Sequence, residues 1–182
     1  PYSSKKNLID PPPTVKITTN RIDNFSASVA ITSPKINKLF ENIANLDKRD
    51  KDQFGKVFKH FIFTDIRSSM YGAKIVGSAF RAQGYNLGFG AKGKNAKQYN
   101  KLKLASRAEL LDNKFNNFYI LNSGGIYGST INKNIKKELL LTFNSRPDNI
   151  YGELVRFIIL DSGYKEGIDL FDIKYVHIFE PQ

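Results

Sequence analysis

The chain has 182 residues, and 41% of them are hydrophobic, which suits one folded domain and excludes a disordered protein. Cys is absent, which excludes disulfides and thiolate metal sites. The sequence contains no run of about 18 apolar residues, the length needed to cross a membrane. The net charge is +11, although residues 151–182 hold six acidic and only three basic residues. This basic body favours a polyanionic partner such as DNA or RNA, but a merely solvated basic surface would have the same charge.

Residues 1–30 are expected to be a lead-in or linker, because Pro11-Pro12-Pro13 favours extended backbone and blocks a helix. The first firm helix is predicted to begin at Ser33-Pro34, a capping residue followed by Pro at the first helical position. Apolar residues then recur at helical spacing: Ile36, Leu39, Phe40, Ile43 and Leu46. The charged run from Asp47 to Lys56 is expected to end this helix.

A strand–helix–strand unit is predicted next. The apolar run Phe61-Ile62-Phe63 indicates a strand buried on both faces, as in a parallel sheet. Residues 71–84 indicate a helix that Gly84 ends, and Tyr85 to Phe89 forms a short strand. A strand, a helix and a strand within about 30 residues are typical of a βαβ unit.

Residues 90–116 interrupt this rhythm with a basic insertion, in which six bases precede the first acid, Glu109. Within it, Gly88 to Asn95 nearly spells the phosphate loop, but Asn95 stands where a hydroxyl must contact Mg²⁺. We interpret this stretch as a flexible basic loop, with a short helix near Leu104–Leu111.

The remaining elements continue the alternation of strands and helices. Strands are predicted at Phe118–Leu121, Leu154–Leu160 and Lys174–Phe179, and a helix carries an apolar stripe from Ile131 to Phe143. A Gly-rich loop covers 122–130. This order predicts an α/β fold with an open, mainly parallel sheet covered by helices.

A self-contained active site is not predicted. His60 and His177 each stand in a strand and are interpreted as structural residues, not as a catalytic pair. Metal-ligand spacings and the Gly-x-Ser-x-Gly turn of serine hydrolases do not occur.

Residues 157–181 are the most informative segment: a buried strand, a polar Gly-bearing loop and a second strand. Loops at the carboxyl ends of parallel strands form the ligand crevice of open α/β sheets. Gly167 would let a partner approach the backbone closely, and Asp169 could accept hydrogen bonds from a ribose. An ordinary connecting loop could have the same form.

The core Glu166-Gly-Ile-Asp-Leu170, with an apolar strand on each side, resembles motif V of superfamily 2 helicases. Ser33–Ile36 and Lys59–Asp65 fall where the second lobe of that family has its first helix and its motif IV strand. Residues 143–156 and 165–181 are similar to helicase-like ATPases of large DNA viruses, the poxvirus, asfarvirus and mimivirus early-transcription-factor type. The resemblance covers residues 31–182.

The resemblance implies a RecA-like three-layer domain, the C-terminal lobe of an ATP-dependent DNA or RNA helicase or translocase. Such a lobe closes over ATP with Mg²⁺, which is bound mainly by a first lobe of the same polypeptide. Gly167 and Asp169, beside Glu166, would face the nucleotide. The residues expected to face the phosphates of a bound strand are Thr64, Ser123 and Ser162 at strand ends, with Lys92, Lys94 and Lys97 extending that edge. Those lysines could equally be solubilising only.

Departures from the family pattern limit what can be carried over. Asp161 stands where many relatives have the motif V threonine, so Ser162 replaces it only loosely, and the 90–116 insertion has no counterpart. The sequence stops at Gln182, before the Gln-x-x-Gly-Arg-x-x-Arg block that supplies arginines to the γ-phosphate. We therefore expect a lobe that is inactive alone and works in the cytoplasm, in viral transcription beside a viral RNA polymerase, without membrane contact.

Two other readings remain open. The chain could be a stand-alone nucleic-acid-binding or scaffold domain that has lost the motor. A small-molecule enzyme of doubly wound fold is the third possibility, although the sequence contains no fingerprint for it.

Overall fold

The computed structural model describes residues 33–67, 72–90, 103–123, 126, 130–164 and 166–179. The predicted lead-in at 1–30 lies outside the described residues, as do residues 91–102 of the basic insertion, which include Lys92, Lys94 and Lys97.

A five-stranded parallel sheet forms the centre of the domain, so the predicted α/β class is confirmed. Its strands are β1 (Lys59–Thr64), β2 (Asn86–Leu87), β5 (Asn117–Leu121), β6 (Phe157–Asp161) and β7 (Ile173–Ile178), in the spatial order β2-β5-β6-β1-β7. A separate antiparallel pair, β3 (Phe89–Gly90) and β4 (Lys103–Leu104), flanks residues 91–102 of the insertion. β1 and β2 are therefore not neighbours. The predicted βαβ unit connects them across β6 and β5, which lie between them in the sheet.

The central strands explain why the core forms where it does. Every residue of β5 and β6 is buried, because helices cover both faces there. β7 lies at the edge, and its side chains alternate between half-buried and exposed. Such a pattern is typical of a strand with one covered face.

One face of the sheet is covered by α1 (Pro34–Phe54) and α2 (Ala73–Ala82). The Phe40 and Phe80 rings of these helices lie 5.0 Å apart, and Phe80 also packs on Phe118 of β5. Gly77 allows α2 to approach the sheet closely, because a Cβ there would lie 2.2 Å from Cδ1 of Ile120.

The opposite face carries α4 (Lys133–Phe143), with the short helix α3 (Arg107–Asp112) joining the insertion to β5. Successive side chains of β1 alternate between the two faces: His60 lies beside α1, and Lys59 donates to the Phe143 carbonyl at the end of α4 at 2.8 Å. Helices on both faces of one sheet make three layers.

Among the described residues, no helix covers the β1–β7 half of the α4 face. Phe61 and Phe63 lie opposite Val176 and Ile178 in the sheet register, and the two β7 side chains are each 59% exposed. The prediction that Phe61-Ile62-Phe63 is buried on both faces was therefore wrong for the two phenylalanines, which are half-buried. Ile62, on the α1 side, is fully buried.

The predicted start of α1 is confirmed, since Ser33 caps it and accepts a hydrogen bond from the Ile36 amide. Its predicted end was wrong, because the helix continues through the charged run to Phe54 and ends at Gly55, which has φ 66°. The charged run stays helical because its inward carboxylates have partners: Asp47 binds Arg156, and Asp50 accepts from Lys174 and Tyr175.

Candidate functional site

The connection from β6 to β7 shapes the candidate site. A short 3-10 turn (Ser162–Tyr164) leaves the carboxyl edge of the sheet, and the chain then returns to the amino edge, where Asp172 precedes β7. Asp172 lies 4.0 Å from Nζ of Lys59, the first residue of β1, which shows how far the connection has travelled. It has no helix of its own among the described residues, and it leaves a groove against α4.

This α4 groove has a volume of about 1000 Å³, within the range of about 300–1,000 Å³ common for ligand sites. Its lining residues come from α4, the turn that follows α4, and the segment before β7: Lys133, Asn134, Lys136, Lys137, Leu140, Leu141, Asn144, Ser145, Arg146, Gly167, Asp169 and Phe171. Two of the predicted nucleotide-facing residues, Gly167 and Asp169, thus line this groove.

Three lysines give the groove its charge. Lys133, Lys136 and Lys137 are spaced three and four residues apart, which places them on one side of α4. Among the described residues, none of them has a carboxylate within ion-pair distance, and the Lys136 Nζ lies 5.3 Å from the centre of the Tyr164 ring. An anion entering here would therefore meet three ammonium groups that are not held in an ion pair with any described carboxylate.

Hydrogen bonds hold the far wall of the groove. Asn144 donates from Nδ2 to the Asp169 carbonyl at 2.8 Å, and its Oδ1 accepts from the Phe171 amide at 2.9 Å. Arg146 makes a two-pronged ion pair with Asp172 at 2.9 and 2.6 Å, and this pair holds the pKa of Asp172 below its usual value. The segment 169–172 is therefore fixed in place before any ligand arrives.

Gly167 and Asp169 are both exposed, and so is Glu166 beside them. Gly167 has φ 69°, and a Cβ there would meet no other atom within 4 Å. The left-handed turn by itself favours glycine here, and the close approach of a partner stays a prediction. Asp169 lines the same groove as the lysines of α4, while apolar surface is supplied by Leu141 and Phe171, 61% and 47% exposed.

The hydroxyl residues predicted to face a bound nucleic-acid strand do come together. They lie at the carboxyl ends of β1, β5 and β6, which we call the carboxyl edge of the sheet. Asp161 organises this carboxyl-edge cluster by accepting from the amide and Oγ of Ser123, at 2.8 and 2.6 Å. Ser162 donates to the Asp65 carbonyl and accepts from Nε of Arg67. Gly163 must be small, because a Cβ there would lie 2.7 Å from Cβ of Ser123.

Most of these hydroxyls are already engaged. Thr64 and Ser162 are buried, and the Thr64 Oγ1 accepts from the Ile66 amide at 3.4 Å. Ser123 is exposed, but both of its donors point to Asp161, whose negative charge opposes a phosphate. Arg67 is the cation at this edge, and the sequence patterns did not single it out. The strand contact predicted for these residues stays a prediction.

A buried histidine pair is a feature that the sequence analysis missed. His60 Nδ1 lies 2.9 Å from His177 Nε2, and the two rings are stacked with an angle of 9° between them. Asp47 and Arg156 flank the other side of His60, at 3.6 and 3.3 Å from its Nε2. Burial lowers the pKa of His60, and burial together with the neighbouring His60 lowers the pKa of His177 to about 4.

We expect this pair to make stability depend on pH. The pKa of a histidine in an unfolded chain is about 6.5. Below that pH the unfolded chain therefore binds protons that the folded chain does not bind. Stability should therefore be fully present above about pH 6.5 and fall as the pH is lowered toward about 4. The slope is at most about 1.4 kcal/mol per pH unit for each histidine, and less for the partly exposed His177.

Urea unfolding midpoints measured from about pH 7.5 to about pH 4.5 would give this dependence of stability on pH. His177→Gln should flatten it, because only His60 remains to titrate. Burial would raise the pKa of Asp50, but hydrogen bonds from Lys174 and Tyr175 outweigh it and lower the pKa. The contribution of Asp50 to stability is therefore lost only below its ordinary pKa of 3.8, outside the pH range of this experiment. A midpoint that stays constant down to pH 5 would show that the histidines do not titrate on unfolding.

The described residues contain no group of three or more His, Asp or Glu side chains that could hold a metal ion. Within the same residues, no helix is long and apolar enough to span a bilayer. No protein-family model matches the chain, and no curated protein or solved structure matches it either. The function is therefore argued from the groove, the charge and the motif resemblance.

Proposed function

We propose that the chain is the second lobe of a superfamily 2 helicase-type ATPase, and that the α4 groove receives the nucleotide. The observation that carries the proposal is that Gly167 and Asp169 line one large groove with three lysines that have no ion-pair partner among the described residues. The parallel three-layer fold is compatible with a RecA-like lobe. The motif V resemblance at 166–170 supports the same reading.

The groove matches the three parts of a nucleotide. Lys133, Lys136 and Lys137 offer ammonium donors to phosphate oxygens, and charge-assisted bonds of this kind are roughly twice as strong as neutral ones. Asp169 offers a carboxylate to ribose hydroxyls. Leu141 and Phe171 offer apolar surface to the base.

ATP with Mg²⁺ is the cofactor that this chemistry fits, and when bound it supplies the transferable phosphoryl group. The lysines neutralise phosphate charge, and Asn144 and Arg146 hold the segment that presents Asp169. Catalysis of phosphoryl transfer is mostly positioning and charge stabilisation. Because the 182 residues contain no complete phosphate loop, the metal and the terminal phosphates are assigned to a first lobe of the same polypeptide, and we expect no ATP turnover by this chain alone.

The polyanionic strand is assigned to the carboxyl edge and the basic insertion. Ser123 and Arg67 lie at that edge, and the lysines of the insertion lie in the sequence between β3 and β4. DNA or RNA is the expected partner, and a viral RNA polymerase in the cytoplasm is the setting that the resemblance suggests.

Changing Lys92, Lys94 and Lys97 together to Ala should weaken single-stranded DNA and RNA binding alike. Each phosphate contact contributes about 0.7 to the slope of log affinity against log salt for a single strand, so the slope should fall by about 2. Fluorescence anisotropy at several salt concentrations measures it. Lys35, Lys38 and Lys48, exposed on α1, provide a matched triple Ala control. Equal slopes for wild type and variant would leave the insertion as a solubilising loop.

A stand-alone nucleic-acid-binding or scaffold domain is the second candidate, and the net charge of +11 favours it equally. The two candidates differ in the ligand of the α4 groove. A stand-alone domain would bind the strand through the groove lysines and would show no interaction with Mg-ATP there.

A further inference from the structure

A second cavity, at the amino edge of the sheet, has no role in the function proposed above. This amino-edge pocket has a volume of about 490 Å³ and lies between the end of α1, the turn before β5 and the turn before β6. Its walls combine aromatic rings with basic side chains and one carboxylate: Lys51, Lys56, Phe115, Tyr151, Glu153 and Arg156.

The wall from the turn before β6 is rigid. Asn149 is fully buried and makes four hydrogen bonds, donating to the carbonyls of Phe143 and Val155 and accepting from the amides of Leu154 and Val155. Tyr151 follows two residues later, and its ring packs edge-on against Phe58 at 5.7 Å. The ring is therefore held in place without a ligand.

The wall from the turn before β5 is held in an uncommon conformation. Phe115 has φ 68°, a left-handed backbone that bulky residues rarely adopt and that costs about 1–3 kcal/mol. Its amide donates to the Glu153 carbonyl at 3.4 Å, and its ring lies half-buried at the pocket. Strain of this kind is concentrated at binding sites, where the surrounding structure maintains it.

The charges define what could bind between the rings. Lys51 and Lys56 are exposed at the rim. The Lys56 Nζ donates to the Tyr151 hydroxyl at 3.1 Å and lies 4.2 Å from the centre of that ring, so it would exchange this bond for a ligand phosphate. Arg156 is buried and pairs with Asp47, so it supplies little to a ligand. Glu153 uses Oε2 to accept from the Tyr151 amide at 2.9 Å, which leaves the other carboxylate oxygen for a donor on the ligand.

We propose that the amino-edge pocket binds one nucleotide unit: a base with amino donors packs between Phe115 and Tyr151 beside Glu153, and its phosphate contacts Lys51 and Lys56. A bare polyanion does not fit, because Glu153 would oppose it. An uncharged ring does not use the two lysines. The unit is either a free nucleotide or the unstacked end of a strand, since both present the same chemistry.

The pocket is independent of the α4 groove, because no residue lines both. Residue-resolved ¹H–¹⁵N NMR of the whole chain separates them. Titration with AMP should shift the amides of Gly55, Asn116 and Tyr151, whereas ligand in the groove shifts Lys137 and Gly167. AMP shifts confined to the groove would overturn the proposal while leaving the proposed function intact. AMP shifts at the pocket, combined with no groove shifts on adding Mg-ATP, would overturn only the proposed function.

Two variants test the contacts. Phe115→Gly removes the ring and relieves the positive φ, so AMP affinity at the pocket should fall by about 5- to 150-fold, as for the loss of one stacked base, without loss of stability. Lys51→Glu, on an exposed helical turn, tests the phosphate contact if the first variant fails to fold. Lys35→Glu is its control, with the same charge change about 24 Å away along α1.

The ligand series completes the experiment. Adenosine and inorganic phosphate should each bind the pocket more weakly than AMP, and equal affinity for either one would overturn the assignment of the whole nucleotide. A single-stranded oligonucleotide that shifts the same amides at lower concentration than AMP identifies the strand end as the source, and a weaker effect identifies the free nucleotide. Unchanged AMP affinity in both Phe115→Gly and Lys51→Glu would overturn the proposal.

Discussion

Replacing Lys133, Lys136 and Lys137 together with Gln should reduce the affinity of the chain for Mg-ATP by at least about tenfold, which corresponds to about 1.4 kcal/mol. The reason is that these lysines are the cations of the α4 groove that lack a carboxylate partner among the described residues. Gln retains most of the side-chain length and the preference for helix, so the helix should persist. NMR titration or calorimetry at constant ionic strength measures the change.

The control for this variant is Lys35, Lys38 and Lys48 changed to Gln, which removes the same charge from the exposed side of α1. It should bind Mg-ATP as the wild type does. If the two triple variants lose affinity equally, the effect is one of net charge, and the groove is not a specific nucleotide site.

Asn149→Ala should destabilise the fold by about 3–5 kcal/mol, because it leaves buried backbone groups without partners at about 1–3 kcal/mol each. The four hydrogen bonds of Asn149 connect the end of α4 to the start of β6. The turn that carries Tyr151 should loosen at the same time. Urea unfolding of wild type and variant gives the difference in free energy.

Asn113→Ala is the comparison for this substitution, since Asn113 makes a single side-chain hydrogen bond, to the Glu109 carbonyl near the end of α3. Its cost should stay within about 1 kcal/mol. An Asn149 variant that unfolds at the same urea concentration as Asn113→Ala would show that water replaces the buried partners without penalty.

Local signals in the sequence were sufficient for most of the fold. Ser33-Pro34 predicted the start of α1 because capping depends on a few neighbouring residues. The apolar runs at 118–121 and 157–160 predicted β5 and β6 because both strands are buried on two faces. Alternation of strands and helices then predicted the parallel sheet.

The features that were missed depend on contacts between distant parts of the chain. The helix α1 continues past Asp47 because Arg156, 109 residues later, pairs with it. His60 and His177 meet because β1 and β7 are neighbours in the sheet, an order that neither strand encodes locally. Phe61 and Phe63 are half-exposed because no described helix covers that part of the α4 face.

The candidate site was predicted in part. The Gly167–Asp169 segment was singled out from its loop chemistry and its resemblance to motif V. The lysines across the groove were missed because α4 was interpreted from its apolar stripe alone, although their spacing on one helical side was readable from the sequence. The carboxyl-edge hydroxyls were placed correctly at strand ends, but Asp161 could not be foreseen as their acceptor without the sheet.

The most direct test of the account is a residue-resolved NMR titration of the whole chain with Mg-ATP. The account predicts that amide shifts are largest along α4 and across the groove, at Lys133 to Arg146 and at Gly167 to Phe171. The predicted shifts disappear when Lys133, Lys136 and Lys137 are replaced by Gln. A chain that leaves those amides unmoved by Mg-ATP, yet shifts them on adding single-stranded DNA, would contradict the account and favour a stand-alone nucleic-acid-binding domain.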